Sequence, residues 1–376
     1  MTIRTYDLAI VGAGIVGAAC AHEAAREGMA VAVIDHGIVG GGATAAGMGH
    51  IVVMDDSEAQ FNLTRYSRDL WKEMAPSLPA GVEYEGCGTI WVAADQEEVD
   101  EVNRKRAVYE AHGVRVEILD SHSLREAEPN LREGLAGGLR VPDDAVIYPP
   151  GAAKHLLALA REQGADLLLG QPAIALTEEG VRLGDGRFIS SGLTVNAAGS
   201  RSPELTPGID VQKRKGHLVI TDRYPGFVRH QLVELGYLKS AHSLTEDSVA
   251  FNIQPRRTGQ VLIGSSRQYG IDDSRVDPGI VGRMLARALE YIPGLTDLSA
   301  IRTWTGFRAA TPDKLPLIGL LPGHHRLYLA TGHEGLGITT SLATAELLVD
   351  QLLNRSSRIP IEPYLPSRPL REAVGA

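Results

Sequence analysis

Residues 6–11 (YDLAIV) are apolar at nearly every position, the pattern of a strand buried on both faces, and residues 30–35 repeat it in small and β-branched side chains. Between them, residues 16–27 recur at helical spacing, so the chain opens on a β-α-β unit. Helical spacing returns over 60–74, through Leu63, Tyr66, Leu70 and Met74, and over 100–111 in a charged form, while 83–93 alternates as a single strand. Residues 193–199 (LTVNAAG) read as a strand ending in small side chains. The pattern then changes. Segments 217–221, 248–254 and 260–265 have strand character with no helix between them, and the last two close as a hairpin through 255–259. A helix over 278–291 follows, with Asp277 as its N-cap and Pro278 at its first position. Residues 326–330 form a strand, a glycine-bearing loop follows, and 341–354 is an amphipathic helix showing Ala345, Leu348, Val349 and Leu352 on one face. Pro360, Pro363, Pro366 and Pro369 predict an extended tail. The fold class is α/β: a Rossmann-like domain assembled from separated segments (1–80, 140–210 and 304–376), with an inserted α+β domain built on an antiparallel sheet (81–139 and 211–303).

Between the first strand and helix stands Gly12-Ala13-Gly14-Ile15-Val16-Gly17. Gly12 permits the tight turn, Gly14 lets a pyrophosphate approach the backbone, and Gly17 lets helix and strand pack closely. Phosphate charge is favoured at the helix N-terminus, where backbone N–H groups are unpaired. Asp35, with His36 beside it, ends the second strand where a carboxylate accepts hydrogen bonds from an adenosine ribose. The spacing predicts a bound dinucleotide and leaves FAD and NAD both open.

Composition narrows the partners. A net charge of −9 over 376 residues offers no electrostatic attraction to nucleic acid or an anionic membrane. Two cysteines, Cys20 and Cys87, cannot supply a four-thiolate iron–sulfur site or a disulfide framework. The apolar run 8–21 is glycine-punctuated, follows Asp7 and is too short to span a bilayer, so a cytoplasmic location is expected.

Three stretches in chain order resemble the glycine oxidase/D-amino-acid oxidase superfamily: the N-terminal unit continued by 42–50 (GATAAGMGH), residues 196–199 (NAAG), and 304–313 (WTGFRAATPD) running on to Leu317-Ile318-Gly319. Segments 47–56, 234–242 and 248–256 are most similar to D-hydroxyproline dehydrogenase catalytic subunits and their opine dehydrogenase relatives. The resemblance implies FAD as the dinucleotide. It also implies hydride transfer to the flavin from the α carbon of a D-amino or cyclic imino acid, giving an imine, and electron-accepting companion subunits carrying an iron–sulfur cluster or a second flavin. No cysteine lies near 304–313, where members with covalent flavin carry one, so the FAD is expected to be non-covalent. Asp35 departs from the usual Glu. A glycine- or sarcosine-type oxidase reducing O2, a hydroxy-acid dehydrogenase and a non-catalytic FAD-holding subunit remain the competing functions.

On that resemblance Arg308 occupies the position of the carboxylate-binding arginine, its planar fork suited to a bidentate contact; the alternative is an ion pair with Asp313. Thr44, Ala45, Ala46, Gly47 and Met48 are expected along the flavin, with Ala197, Ala198 and Gly199 on the second strand. Gly335, Leu336, Gly337, Ile338 and Thr339 are expected at its pyrimidine edge, where a helix N-terminus favours negative charge. His50 has two readings, an ionisable group near the ring or a ring bonded to backbone, and His333 is either functional or structural. Tyr237, His242 and Phe251 are candidates for the substrate-side wall, with ordinary sheet packing the alternative for each and the favoured reading for Phe251.

Overall fold

The computed structural model describes residues 5–236 and 247–370. Its opening strand, Tyr6–Val11, is buried except at Asp7 and runs parallel to Val31–Asp35 on one side and Phe188–Asn196 on the other. That placement follows from the continuous apolar run, since a strand at the centre of a parallel sheet is covered on both faces. Asp166–Leu169 extends the sheet beyond Val31–Asp35, Leu327–Thr331 pairs with Phe188–Asn196, and Leu317–Leu320 closes that edge antiparallel. Gly180–Leu183 and Ala173–Thr177 add an antiparallel branch.

The first helix, Ile15–Arg26, presents small residues (Ala18, Ala19, Cys20, Ala21, Ala24 and Ala25) that are buried all round. They let it lie between helices Pro149–Glu162 and Gly337–Leu352, and the largest apolar cluster forms there. Cys20 is packed inside this cluster as a small apolar residue.

The second sheet has nine strands among the described residues. Its order is His333–Glu334, Ala300–Ala310, Gln212–Arg223, Gln260–Arg267, Ser248–Pro255, Gln231–Glu234, Thr89–Ala93, Gly137–Val141 and Glu117–Asp120. All pairs are antiparallel except Gln231–Glu234 with Thr89–Ala93. Ser248–Pro255 and Gln260–Arg267 form the expected hairpin. Helix Pro278–Tyr291 packs on this sheet, and the Asp277 carboxylate accepts the Gly279 and Ile280 N–H groups at 2.8 and 3.2 Å.

Two expected elements differ. The strand predicted over 83–93 is present only as Thr89–Ala93. Ala80–Val82 is a 3-10 turn and Glu83 is left-handed at φ 51°, its carboxylate held by Arg256 at 2.7 Å. The helix predicted from residue 341 begins at Gly337, so the end of the glycine-bearing loop is its first turn, and His333–Glu334 within the loop is a short strand. Gly337 suits that turn because a Cβ there would lie 3.3 Å from the His333 Cβ.

Candidate active site

The end of the opening strand, the first helix and the end of Phe188–Asn196 meet at one point. Gly12 has φ +122°, and a Cβ there would stand 2.3 Å from the Ala197 carbonyl oxygen. A Cβ on Gly17 would stand 1.9 Å from the Gly12 carbonyl, so helix and turn touch backbone to backbone. Thr44 Oγ1 accepts the Ile15 N–H at 3.0 Å, tying segment 42–49 to the helix N-terminus. Asp35 accepts the Ala13 N–H through Oδ2 and the Gly37 N–H through Oδ1, both at 2.7 Å, which fixes its carboxylate at the rim. A cleft so shaped that a single methyl group would close its turn fits a dinucleotide pyrophosphate.

From this turn a cavity of about 540 Å³ runs toward one face of the second sheet. Gly12, Gly14, Ile15, Val16, Asp35 and His36 line its outer end. Thr44, Ala46, Gly47, Met48 and His50 line its middle, together with Ala197, Ala198 and Gly199. His333, Gly335 and Leu336, with Gly337 and Ile338 from the first turn of the last long helix, close it, and Arg308 lies on the sheet face. Four expected residues do not line it. Ala13 and Gly17 are buried in the turn, and Thr339 donates to the His50 carbonyl at 2.8 Å from behind. Ala45 is exposed, because the short helix Gly42–Ala45 turns it outward.

On the sheet face the strand register brings arginines together. Arg308 pairs directly with Arg214 across the sheet, and Gly306 with Gly216. Arg308 Nη1 donates to the Ser266 carbonyl at 3.0 Å. Arg214 Nη1 donates to Glu334 Oε1 at 2.7 Å, and the Arg267 Nε lies 3.9 Å from the same oxygen. Asp313, the alternative partner considered for Arg308, is taken by Arg368, whose Nε and Nη2 donate to its two oxygens at 2.7 and 3.0 Å. Arg308 is therefore directed into the cavity region rather than tied to that carboxylate.

Both histidines are held neutral. Burial first, and then the positive charge of Arg308, push His50 down to about 4. Its Nε2 is buried with no partner in ordinary hydrogen-bond geometry among the described residues, and a hydrogen-bonding interaction of the ring with the Gln254 side chain partly opposes the depression. The reading that His50 is satisfied by backbone therefore does not hold for that ring nitrogen. Burial alone pushes His333 down to about 3, and its Nε2 is bonded to Thr344 Oγ1 at 3.0 Å. His333 is thus a satisfied histidine that also lines the cavity.

Further buried polar atoms in the wall have no partner among the described residues: Asn252 Oδ1, Gln231 Oε1 and Trp91 Nε1. Such atoms are costly unless a ligand or water completes them, so they mark the inner end of the cavity as a binding surface. Neither these residues nor Arg214, Arg267 and Glu334 stood out in the sequence. Arg214 is hidden in the run Lys213-Arg214-Lys215, which looks like a solvated face. Alternation of Arg214, Gly216 and Leu218 toward the cavity was the signal available. Phe251 takes its packing reading and not the substrate-wall one: it stacks on Tyr291 at 4.3 Å beneath helix Pro278–Tyr291, on the other face of the sheet. Tyr237 and His242 lie outside the described residues.

The family model described as FAD dependent oxidoreductase (DAO) matches residues 7–351. The chain belongs to this family. It is an FAD-dependent oxidoreductase. It is 28% identical to the hydrogen cyanide synthase subunit HcnC of Pseudomonas aeruginosa, over 97% of this chain and 96% of the relative. It is also 28% identical to the glycine oxidase of Geobacillus kaustophilus, over 97% of each chain. The crystal structure of that glycine oxidase superposes with a TM-score of 0.88, covering 98% of this chain and 100% of the other, at 26% identity. An L-proline dehydrogenase from P. horikoshii shares the fold at a TM-score of 0.87, 24% identity and coverage of 96% and 97%.

Proposed function

We propose that this protein is a dehydrogenase of D-amino or cyclic imino acids, with D-proline or D-hydroxyproline as the substrate type. The observation that carries this reading is Arg308, a guanidinium directed from the sheet face into the same cavity as the glycine cradle, beside a neutral His50. In this reading Arg308 binds the substrate carboxylate through its fork and so fixes the α carbon. Bound FAD supplies the acceptor for the hydride leaving that carbon. His50 Nε2 accepts a hydrogen bond from the substrate nitrogen, which must enter unprotonated because a histidine titrating near 4 does not hold its proton at neutral pH. Apolar walls at Met48, Val52, Val233 and Ile338 keep water from the reacting carbon, and the imine product hydrolyses after release. The names of the relatives support this reading in part: a glycine oxidase supports amine chemistry, and a hydrogen cyanide synthase subunit supports work within a multi-subunit assembly.

Further parts of the proposal are more structural. FAD is held non-covalently, consistent with neither Cys20 nor Cys87 lining the cavity. The FAD-binding part comprises 1–80, 140–210 and 304–376, and the substrate part 81–139 and 211–303. Strands Gly137–Val141 and Ala300–Ala310 run through two of those joins and favour placing them at the strands' ends. We assign a cytoplasmic location; among the described residues no helix is long and apolar enough to cross a membrane.

The test is steady-state turnover with an artificial electron acceptor on D-proline, cis-4-hydroxy-D-proline, sarcosine, glycine, D-alanine and an opine, with peroxide measured in parallel in air. Fast dye reduction by the cyclic imino acids with little peroxide is expected. Stoichiometric peroxide would replace the dehydrogenase with an oxidase, and turnover of 2-hydroxy acids alone would reject amine oxidation.

A further inference from the structure

Arg308 can serve as an anchor only if its guanidinium is held in one place, and a half-buried arginine has several rotatable bonds to immobilise. Gly216 lies on the neighbouring strand Gln212–Arg223, between Arg214, which faces Arg308 in register, and Leu218. A Cβ built on Gly216 would meet Arg308 Nη1 at 2.6 Å and Arg308 Cζ and Nη2 at 3.0 Å, so its three nearest neighbours are all guanidinium atoms. The guanidinium therefore lies flat across the bare backbone of Gly216 while Nη1 donates to the Ser266 carbonyl on the next strand. The facing glycine, Gly306, has a different neighbour: its Cβ would stand 2.2 Å from the Ala46 Cβ on the segment along the cofactor cavity. One glycine pair across two strands thus sets two separate approaches, Arg308 to the sheet and segment 42–49 to the sheet.

We propose that Gly216 is a positioning residue for carboxylate recognition, its missing side chain being the seat on which the Arg308 guanidinium rests. This rests on the reading of Arg308 as the carboxylate anchor. Any side chain at 216 lifts the guanidinium out of its plane. Because the displaced group is the end of a flexible side chain, the sheet itself tolerates the change. Gly216→Ala should keep its FAD and its fold but bind carboxylates poorly, whereas Gly306→Ala should weaken FAD binding.

The experiment compares Gly216→Ala, Arg308→Met and the double variant, each loaded with FAD. Two readouts are taken: the spectral titration of the flavin with pyrrole-2-carboxylate, a non-reacting ligand, and the separate kcat and KM for D-proline. Gly216→Ala is expected to raise the ligand Kd and the KM ~10-fold or more, with a smaller change in kcat, as for loss of a charge-assisted hydrogen bond. In the Arg308→Met background the same substitution is expected to add nothing, because the atoms it displaces are gone. Unchanged Kd and KM in Gly216→Ala, with Arg308→Met impaired, would overturn the inference and leave Arg308 as the anchor. Unchanged carboxylate binding in Arg308→Met would overturn the underlying reading as well. If Gly216→Ala fails to fold, the double variant is expected to recover FAD and the melting temperature of Arg308→Met; failure of the double variant also would overturn the assignment.

Discussion

Arg308 acts on His50 through charge, and in the proposed function the two meet the same substrate. The arginine's positive charge adds to burial in keeping the imidazole unprotonated, so the pair presents one cation and one neutral acceptor. Arg308→Lys keeps the charge but loses the planar fork, and kcat/KM for D-proline should fall by ~100-fold or more. Turnover of pyrrolidine, which has no carboxylate, should change little. Equal losses on both substrates would place Arg308 in a structural role. The ascending, acid-side limb of the kcat/KM profile should follow the pKa of the substrate amine and move to lower pH when a less basic amine is used. A fixed limb near pH 6.5 that disappears in His50→Gln would show that His50 titrates at its ordinary value in the folded enzyme and is not depressed by burial. For stability the sign is set by depressed histidines. The unfolded chain binds protons at His50 and His333 near pH 6.5, whereas the folded chain binds them only near 4 and 3. Stability is therefore unaffected by them above 6.5 and declines as pH falls from there toward 4. Asp144, pushed up to about 7 by burial, works the other way, since the folded state holds its proton at a pH where the unfolded state has lost it. Removing the imidazole in His333→Asn should flatten the acid-side decline in melting temperature; an unchanged slope would show that His333 is not buried neutral.

At the scale of elements, glycines and caps separate cofactor binding from stability. Gly12→Ala should abolish FAD retention, because the added methyl would stand 2.3 Å from a backbone carbonyl that cannot move without shifting the second strand. Asp277→Ala removes an N-cap far from the cradle and should cost about 1 kcal/mol of stability while leaving FAD affinity unchanged. If both variants lost FAD equally, cofactor loss would be a general consequence of destabilisation. These elements were also the legible ones. The β-α-β unit, the hairpin closed by 255–259 and the helix capped at Asp277 are each specified by local pattern and turn chemistry, and the structure has them where expected. What was not legible depends on pairing. Arg214 and Gly216 acquire meaning only when the strand register sets them opposite Arg308 and Gly306. Phe251 could not be assigned a face until helix Pro278–Tyr291 was seen to cover it. The short strand at 89–93 was overread because Glu83 and Glu85 continue the alternation, although Gly88 takes φ +75° and the chain turns there.

In the molecule as a whole, a mostly parallel sheet carries the cradle and a mostly antiparallel sheet carries Arg308, with the cavity running between them. A substrate bound on the second sheet is thereby placed against a cofactor bound on the first, and neither sheet alone makes the site. On the proposed function this cavity accepts an amino or imino acid and oxidises it at the α carbon. Anaerobic flavin bleaching near ~450 nm tests it most directly, since loss of that band reports reduction of the bound cofactor without any second acceptor. Mixing the FAD-loaded protein with D-proline should bleach the band fully and rapidly, with slow recovery on admitting air, while pyrrolidine at the same concentration should act far more slowly. A flavin that stays oxidised with every amine tried, FAD being confirmed bound, would contradict the account.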